Sequence, residues 1–303
     1  MRRRRNKCLI LEGGGVKCAY QFGVMRTIRD SLEDIDGIAG SSFGALNSAL
    51  YLSGGIERMA DFWNDLSAER IFKEPQLQRI MEKMYRKEPL FDLRSLLFLI
   101  GTTGSDPLAK HRDISELYLD YIIKNVEEDR IRKSGKEFGL TAVELLSGGA
   151  EREAMAANIL TTIGRNKSDR IPAEITDSMQ HLREFFVRDI KKGLLPQYVA
   201  ASACLPTFRP ISIEGRYYID GGVLDNLPVK MMEDKGYKQF LCIRTNTGEP
   251  KKRWSDKAKV SFITPSRELG SCALFSKENI LELIALGEYD ASVAMKRGLI
   301  ADR

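Results

Sequence analysis

Apolar residues recur along the chain as short unbroken runs alternating with longer stretches spaced for helices. Cys8-Leu9-Ile10-Leu11, entered from Lys7, reads as a buried first strand. Tyr20, Val24, Ile28 and Leu32 then repeat every four residues, one face of a helix. Ile35 to Gly40 predicts a second strand, and Phe43 to Leu52 a helix rich in small residues, ended by Gly54-Gly55. Ile56 to Leu66 and Gln76 to Tyr85 are amphipathic, the first placing Met59, Phe62, Trp63 and Leu66 on a face read as core. Leu90 to Ile100 is the most apolar segment, with Phe91, Leu93, Leu96, Leu97, Phe98, Leu99 and Ile100 before the turn-rich Gly101–Pro107. A core helix is the simpler reading; a mobile apolar flap beside a site is the other. Ile114 to Val126 predicts a further helix, and Glu137 to Leu146 a strand stopped by Gly148-Gly149.

From Glu151 to Ile190 the chain turns polar and mixed in charge, with Met155 to Ile163 helical. A loop-rich insertion is expected at about 148–182. Phe185-Phe186-Val187 predicts a strand, and Leu194 to Ala203 an alanine- and serine-rich helix leading into Leu205-Pro206-Thr207-Phe208-Arg209-Pro210. Ile211 to Ile219 reads as a hairpin turned at Glu214-Gly215, delivering Asp220-Gly221-Gly222. After Val223-Leu224-Asp225-Asn226-Leu227-Pro228 a helix runs to Met232. Gln239 to Ile243 is the last clear strand, and Ile280 to Met295 a terminal helix. Strands alternating with helices imply an α/β protein whose mostly parallel central sheet is covered on both faces. The expected organisation is a basic tail over 1–6, one α/β domain over 7–245, and a C-terminal extension over 246–303 ending in a helix.

Composition changes this picture little. With 303 residues, 43% hydrophobic and 29% charged, the chain can bury a large core. Its formal charge of +5 is concentrated partly in Arg2, Arg3, Arg4 and Arg5. That run suits peripheral contact with an anionic membrane surface, although a short basic tail is most simply solvated, and no nucleic-acid partner is expected. It resembles the start of an export signal, but Cys8–Leu11 is too short an apolar run to complete one. No segment approaches the ~18 apolar residues of a membrane-spanning helix. Five scattered cysteines without Cys-x-x-Cys spacing fit reduced thiols, so a cytoplasmic location is expected and a zinc site is not.

The candidate chemistry begins at Gly40-Ser41-Ser42-Phe43-Gly44, between a predicted strand and a predicted helix. Gly-x-Ser-x-Gly there is the pattern of a nucleophile elbow, a turn so sharp that a side chain at either glycine would strike the neighbouring strand or helix. The helix start favours negative charge developing beside the serine. A second glycine cluster, Gly13-Gly14-Gly15, follows the first strand and can form an anion-facing nest. A dinucleotide fingerprint fails because Cys18 takes the third glycine position, and a Walker A loop fails for want of Gly-Lys-Ser/Thr. A phosphate cradle and a plain turn both stay open for these glycines. The only histidines, His111 and His181, precede Asp220, whereas a hydrolase triad in Ser-acid-His order needs one after the acid. His181 falls in a polar stretch read as helical and solvated. The serine's base is therefore expected to be a carboxylate.

Glu12-Gly13-Gly14-Gly15-Val16-Lys17, then Gly40-x-Ser42-x-Gly44, then Ala201-Ser202 through Pro206, Phe208 and Pro210, then Asp220-Gly221-Gly222 resemble the motif series of the patatin-like phospholipases, in order, over roughly Lys7 to Ile243. The resemblance implies a three-layer α/β/α fold and a lipid acyl hydrolase that uses a Ser-Asp dyad with neither metal nor cofactor. It implies Ser42 as nucleophile, Asp220 as base, and the N–H groups of Gly13, Gly14 and Gly15 as oxyanion hole. Lys17 takes the family's basic position, while Gly40, Gly44, Gly221 and Gly222 shape the turns. Cys18 departs from the family's glycine, which is expected to alter packing rather than chemistry. The implied substrate is a phospholipid or lysophospholipid ester. A catalytically silent lipid-binding scaffold and a phosphate-binding α/β module are the competing functions. Transfer of the acyl group to an acceptor other than water uses the same residues.

Overall fold

The computed structural model describes residues 6–68, 118–146, 180–204, 208–272 and 274–298. Its centre is an eight-stranded sheet. The chain forms β1 (Lys7–Leu11), α1 (Cys18–Thr27), β2 (Gly37–Ser41) and α2 (Phe43–Ala68), the last broken by non-helical backbone at Gly54 and Gly55 as the glycine pair predicted. Helical residues 118–125 (α3) and α4 (Glu128–Lys133) lead to β3 (Glu137–Leu145). There follow β4 (Gln180–Phe186), α5 (Leu195–Ser202), β5 (Ile211–Ile213), β6 (Arg216–Asp220), α6 (Val229–Asp234), β7 (Gln239–Ile243), β8 (Lys259–Ile263) and α7 (Lys277–Lys296).

Strands β3, β2, β1, β7 and β8 run parallel in that spatial order, while β4, β5 and β6 join by antiparallel pairing. Alternation along a buried strand feeds two separate cores. Leu9, Leu11 and Ile38 pack with residues of α1, α2, α5 and α7 on one face, whereas Cys8, Ile10 and Ala39 pack with Val229, Met231 and Met232 of α6 on the other. Apolar on both faces, β1 and β2 must be covered twice, and the layers are α/β/α.

Helix α7 packs along α1 at unusually short range. A Cβ at Gly23 would lie 2.0 Å from the Ile284 carbonyl oxygen, and one at Gly287 2.1 Å from that of Tyr20. The contact is tied by Tyr20 Oη donating to Asp290 Oδ2 at 3.1 Å and Arg26 Nε to Glu288 Oε1 at 2.6 Å. The predicted hairpin is present, with Glu214 (φ 50°) and Gly215 (φ 78°) both left-handed, as a two-residue turn matched to strand twist requires.

Three expectations are corrected. His181 is not on a helix: it lies in β4, exposed and opposite Glu144 of β3. The strand predicted at Phe185–Val187 begins earlier, at Gln180, so residues 180–182 belong to the sheet rather than to an insertion. Gln239–Ile243 is not the last strand, since β8 pairs with it at the sheet edge. Gln76–Tyr85, Leu90–Ile100, His111, Met155–Ile163 and Arg2–Arg5 lie outside the described residues.

Candidate active site

Two strands converge on the site along one edge of β3. Strand β4 occupies the other edge opposite Gly139–Leu145, so β2 and β6 share the remaining one, β2 opposite Glu137–Thr141 and β6 opposite Ala142–Leu145. They approach from opposite directions and stop facing each other: Ser41 pairs with Thr141, Asp220 with Ala142. Thr141 Oγ1 donates to Ser41 Oγ at 3.0 Å, fixing the end of β2.

Beyond Ser41 the chain turns through Ser42, whose φ of 54° is left-handed for a residue with a side chain, the strained geometry of an elbow. Its carbonyl accepts the first bonds of α2, from Ala45 N at 2.9 Å and Leu46 N at 3.2 Å. The flanking glycines are sterically required. A Cβ at Gly40 would sit 2.3 Å from the Gly44 carbonyl carbon, and one at Gly44 2.2 Å from the Leu11 carbonyl oxygen of β1.

Ser42 Oγ donates to Asp220 Oδ2 at 2.6 Å, the short range of a hydroxyl on a carboxylate. The other carboxylate oxygen, Oδ1, accepts from Gly222 N at 2.7 Å, so both oxygens are oriented. Ser42 and Asp220 are 5% and 7% exposed, which keeps competing water from most of their surface. Gly221 lies so close to β3 that a Cβ would be 2.2 Å from the Thr141 carbonyl oxygen. Ser202, on α5, accepts from the Ser42 N–H at 3.0 Å and holds the elbow from the side.

The three glycines after β1 are not equivalent. Gly13 was expected among the oxyanion donors, but its N–H is spent on the Asn226 carbonyl at 3.1 Å. Lys17 N donates to Gly14 O at 3.2 Å and Val16 N to Cys272 O at 2.9 Å. Among the described residues, no hydrogen bond takes up the N–H of Gly14 or Gly15. Gly15 needs glycine, since its φ is 57° and a Cβ would meet the Cys272 carbonyl oxygen at 2.3 Å. Behind the loop, buried Glu12 accepts from Thr245 N at 2.7 Å and Asn246 N at 3.2 Å and pairs with buried Arg244.

Lys17 reaches Asn246 Oδ1 at 3.5 Å. Cys18 is fully buried; its carbonyl accepts from Asn47 Nδ2 at 2.9 Å, and burial, with Glu12 and Asp220 adding repulsion, pushes its thiol well up. It therefore serves as an apolar filler. Burial likewise raises Asp225, against the bond from Leu227 N–H and the pull of Arg253. Ser202 belongs to the motif series that carries the family resemblance, but its part in holding the elbow is not legible there, and neither Asn226 nor Thr245 is marked by the sequence as a site residue. Asn226 stands in the turn after Asp220-Gly221-Gly222, a signal available but unread, while Thr245 follows β7 with nothing local to mark it. Among the described residues no cluster suited to a metal ion occurs, and no helix is long and apolar enough to cross a membrane.

The family model described as patatin-like phospholipase matches residues 9–232, and the chain belongs to that family. Human GIVD cytosolic phospholipase A2 has a similar fold, with a TM-score of 0.54 at 8% identity, over 97% of this chain and 59% of its own. VipD from Legionella pneumophila aligns with a TM-score of 0.46 at 12% identity, over 97% of this chain and 67% of its own. The type III effector ExoU aligns with a TM-score of 0.37 at 16% identity, over 98% of this chain and 54% of its own. The chain thus spans about half to two thirds of the length of these proteins. No curated protein matches the sequence.

Proposed function

We propose that the chain is a serine acyl hydrolase cleaving carboxylic esters of lipids, a phospholipid or lysophospholipid, through an acyl-enzyme on Ser42. The observation that carries this is the 2.6 Å bond from an elbow serine to a buried, doubly anchored aspartate. In this reading the Ser42 hydroxyl proton passes to Asp220 Oδ2 as Oγ attacks the ester carbon. The carbonyl π pair moves onto oxygen, and the N–H groups of Gly14 and Gly15 and the start of α2 stabilise that charge. Collapse breaks the bond to the leaving alkoxide, which takes the proton from Asp220. Water then attacks the acyl-serine, giving its proton to Asp220. The carboxylic acid leaves and Ser42 recovers its hydrogen. An aspartate of ordinary pKa, about 3.9, is a weak base, so closeness, direction and partial dehydration must compensate. Lys17 is a supporting charge beside the glycine loop. Contact of Arg2–Arg5 with anionic headgroups would bring a cytoplasmic enzyme to its substrate.

Hydrolysis of a p-nitrophenyl ester and of phospholipid vesicles, comparing wild type with Ser42→Ala and Asp220→Ala, tests the assignment. Each variant is expected to fold and to lose at least ~10³-fold in kcat/KM, and Ser42→Ala to lose fluorophosphonate labelling. Variants with wild-type rates would sink the dyad. A wild type that neither hydrolyses ester nor takes the label would favour a silent scaffold.

A further inference from the structure

Gly13 is gripped on both of its backbone polar groups by residues far along the chain. Its N–H donates to the Asn226 carbonyl at 3.1 Å, and its own carbonyl accepts twice, from Asn226 Nδ2 at 3.1 Å and from Thr245 Oγ1 at 2.6 Å. In a trans peptide the carbonyl of one residue and the N–H of the next point in opposite directions. Holding the Gly13 carbonyl toward Asn226 and Thr245 therefore turns the Gly14 N–H away from them. Thr245 is in turn fixed through its own N–H on Glu12 Oε2. The Asn226 carboxamide also abuts the base turn, since a Cβ at Gly222 would fall 2.4 Å from Asn226 Oδ1.

We infer that Asn226 and Thr245 are positioning residues: by clamping the Gly13 carbonyl they aim the Gly14 N–H at the developing oxyanion. Through Asn226 the clamp also keeps the donor loop in register with the turn that carries Asp220. This rests on the hydrolase reading above and adds to it that donor direction is set from outside the loop. A glycine loop without side chains has no means of its own to hold a peptide plane against rotation. Neither residue touches the reacting atoms, so their effect must appear in the transition state and not in substrate binding.

The test is ester hydrolysis by Thr245→Val, which keeps shape but loses the hydroxyl, by Thr245→Ser, which keeps the hydroxyl, and by Asn226→Ala. Rates are normalised to sites titrated with a fluorophosphonate. Loss of a whole oxyanion donor costs about 10²–10³-fold in kcat, so a donor half released is expected to cost roughly 10-fold in each single variant and about 100-fold in the double. KM should stay within about twofold, and the Ki of a trifluoromethyl ketone, which forms an oxyanion on the serine, should rise in step with the fall in kcat/KM. Thr245→Ser should recover most of the rate. A merely structural role would lower the titratable fraction and leave kcat per titrated site unchanged. Wild-type kcat per site in Thr245→Val and Asn226→Ala, or a uniform rise in KM without a change in kcat, overturns the inference while the dyad stands. If Thr245→Val does not fold, Asn226→Ala alone decides. An inactive wild type fails the hydrolase reading itself, and the inference with it.

Discussion

Gly44→Ala places the demand for a tight elbow under direct measurement. The added Cβ would lie 2.2 Å from the Leu11 carbonyl oxygen, 2.8 Å from its carbon and 2.9 Å from the Glu12 carbonyl oxygen. Carbon–oxygen contacts settle at about 3.3–3.6 Å, so β1 and the start of α2 must part by roughly 1 Å. Both partners are backbone, one in the middle of a buried sheet, and neither can swing aside as a side chain would. Overpacking of this kind costs about 1–3 kcal/mol, while alanine in place of glycine returns at most about 1 kcal/mol of helix propensity. Sterics win, and the melting temperature should fall by several degrees, at about 2–4 °C per kcal/mol for a domain of this size class. A shift of that length at the elbow would also stretch the 2.6 Å Ser42–Asp220 bond beyond hydrogen-bonding range, at a cost of about 100-fold in kcat. Gly287→Ala is the control. It meets a carbonyl at 2.1 Å on α1, so it should lower stability but leave kcat per folded molecule unaltered. Calorimetry and ester hydrolysis well below both transitions separate the two effects. Wild-type kcat in Gly44→Ala would refute the claim that this contact sets the nucleophile's position.

Alkaline pH should expose the buried phenols. Burial and the facing Asp290 carboxylate raise Tyr20 well above its ordinary value of 10.0, and burial raises Tyr118, so both stay neutral in the fold when the unfolded chain ionises them. Their contribution is complete below about pH 10 and is lost as pH rises toward the folded values. The urea midpoint should therefore fall between about pH 9.5 and 11, less steeply in Tyr20→Phe; an unchanged slope would contradict the assignment. Thiol reactivity should follow packing: burial raises all five thiols, but Cys272 is partly exposed, whereas Cys8, Cys18, Cys204 and Cys242 are buried. Iodoacetamide on the native protein should mark Cys272 first and the others only after denaturation, and equal labelling of Cys8, read by peptide mass, would count against the described core.

The sequence shows most clearly those features whose cause is local. Strands β1, β2 and β7 are buried on both faces, so their residues form apolar runs that stand out from the helices around them. Gly40 and Gly44 are legible because a clash two residues either side of Ser42 leaves no other choice. Strand β4, Gln180–Phe186, is polar along most of its length and half exposed, and its pairing with β3 supplies what its own residues do not signal. Strand β8 is an edge strand in which Lys259 and Ser261 alternate with Val260 and Phe262, too short a pattern to stand out. The site divides in the same way. Ser42 could be found from its turn, but its partner lies 178 residues away, and only the resemblance to a family brought Asp220 to it. The inequality of the three glycines has no local cause at all, since Gly13 is engaged by Asn226 and Thr245, 213 and 232 residues further on.

Strand geometry explains how an antiparallel strand can serve a site built at the ends of parallel ones. Parallel strands β1, β2 and β3 all point their carboxyl ends the same way, and loops after them gather at one rim of the sheet. Strand β6 runs against β3, so if it paired along the whole of β3 its own carboxyl end would emerge at the opposite rim. It pairs only with Ala142–Leu145, however, and ends where β2 ends. The base is thereby carried to the nucleophile by ladder bonds instead of by a loop. The arrangement has a price in tolerance, because side chains alternate across a strand: a slip of one residue would bring Ile219 or Gly221 opposite Ala142 and turn Asp220 to the other face. What resists the slip is the close seat of Gly221 against Thr141, together with the Asp220 N–H donating to the Cys204 carbonyl at 3.2 Å. The geometry of the dyad is thus decided partly by Cys204 and Gly221, which hold the end of β6 in place and contribute no atom to the chemistry.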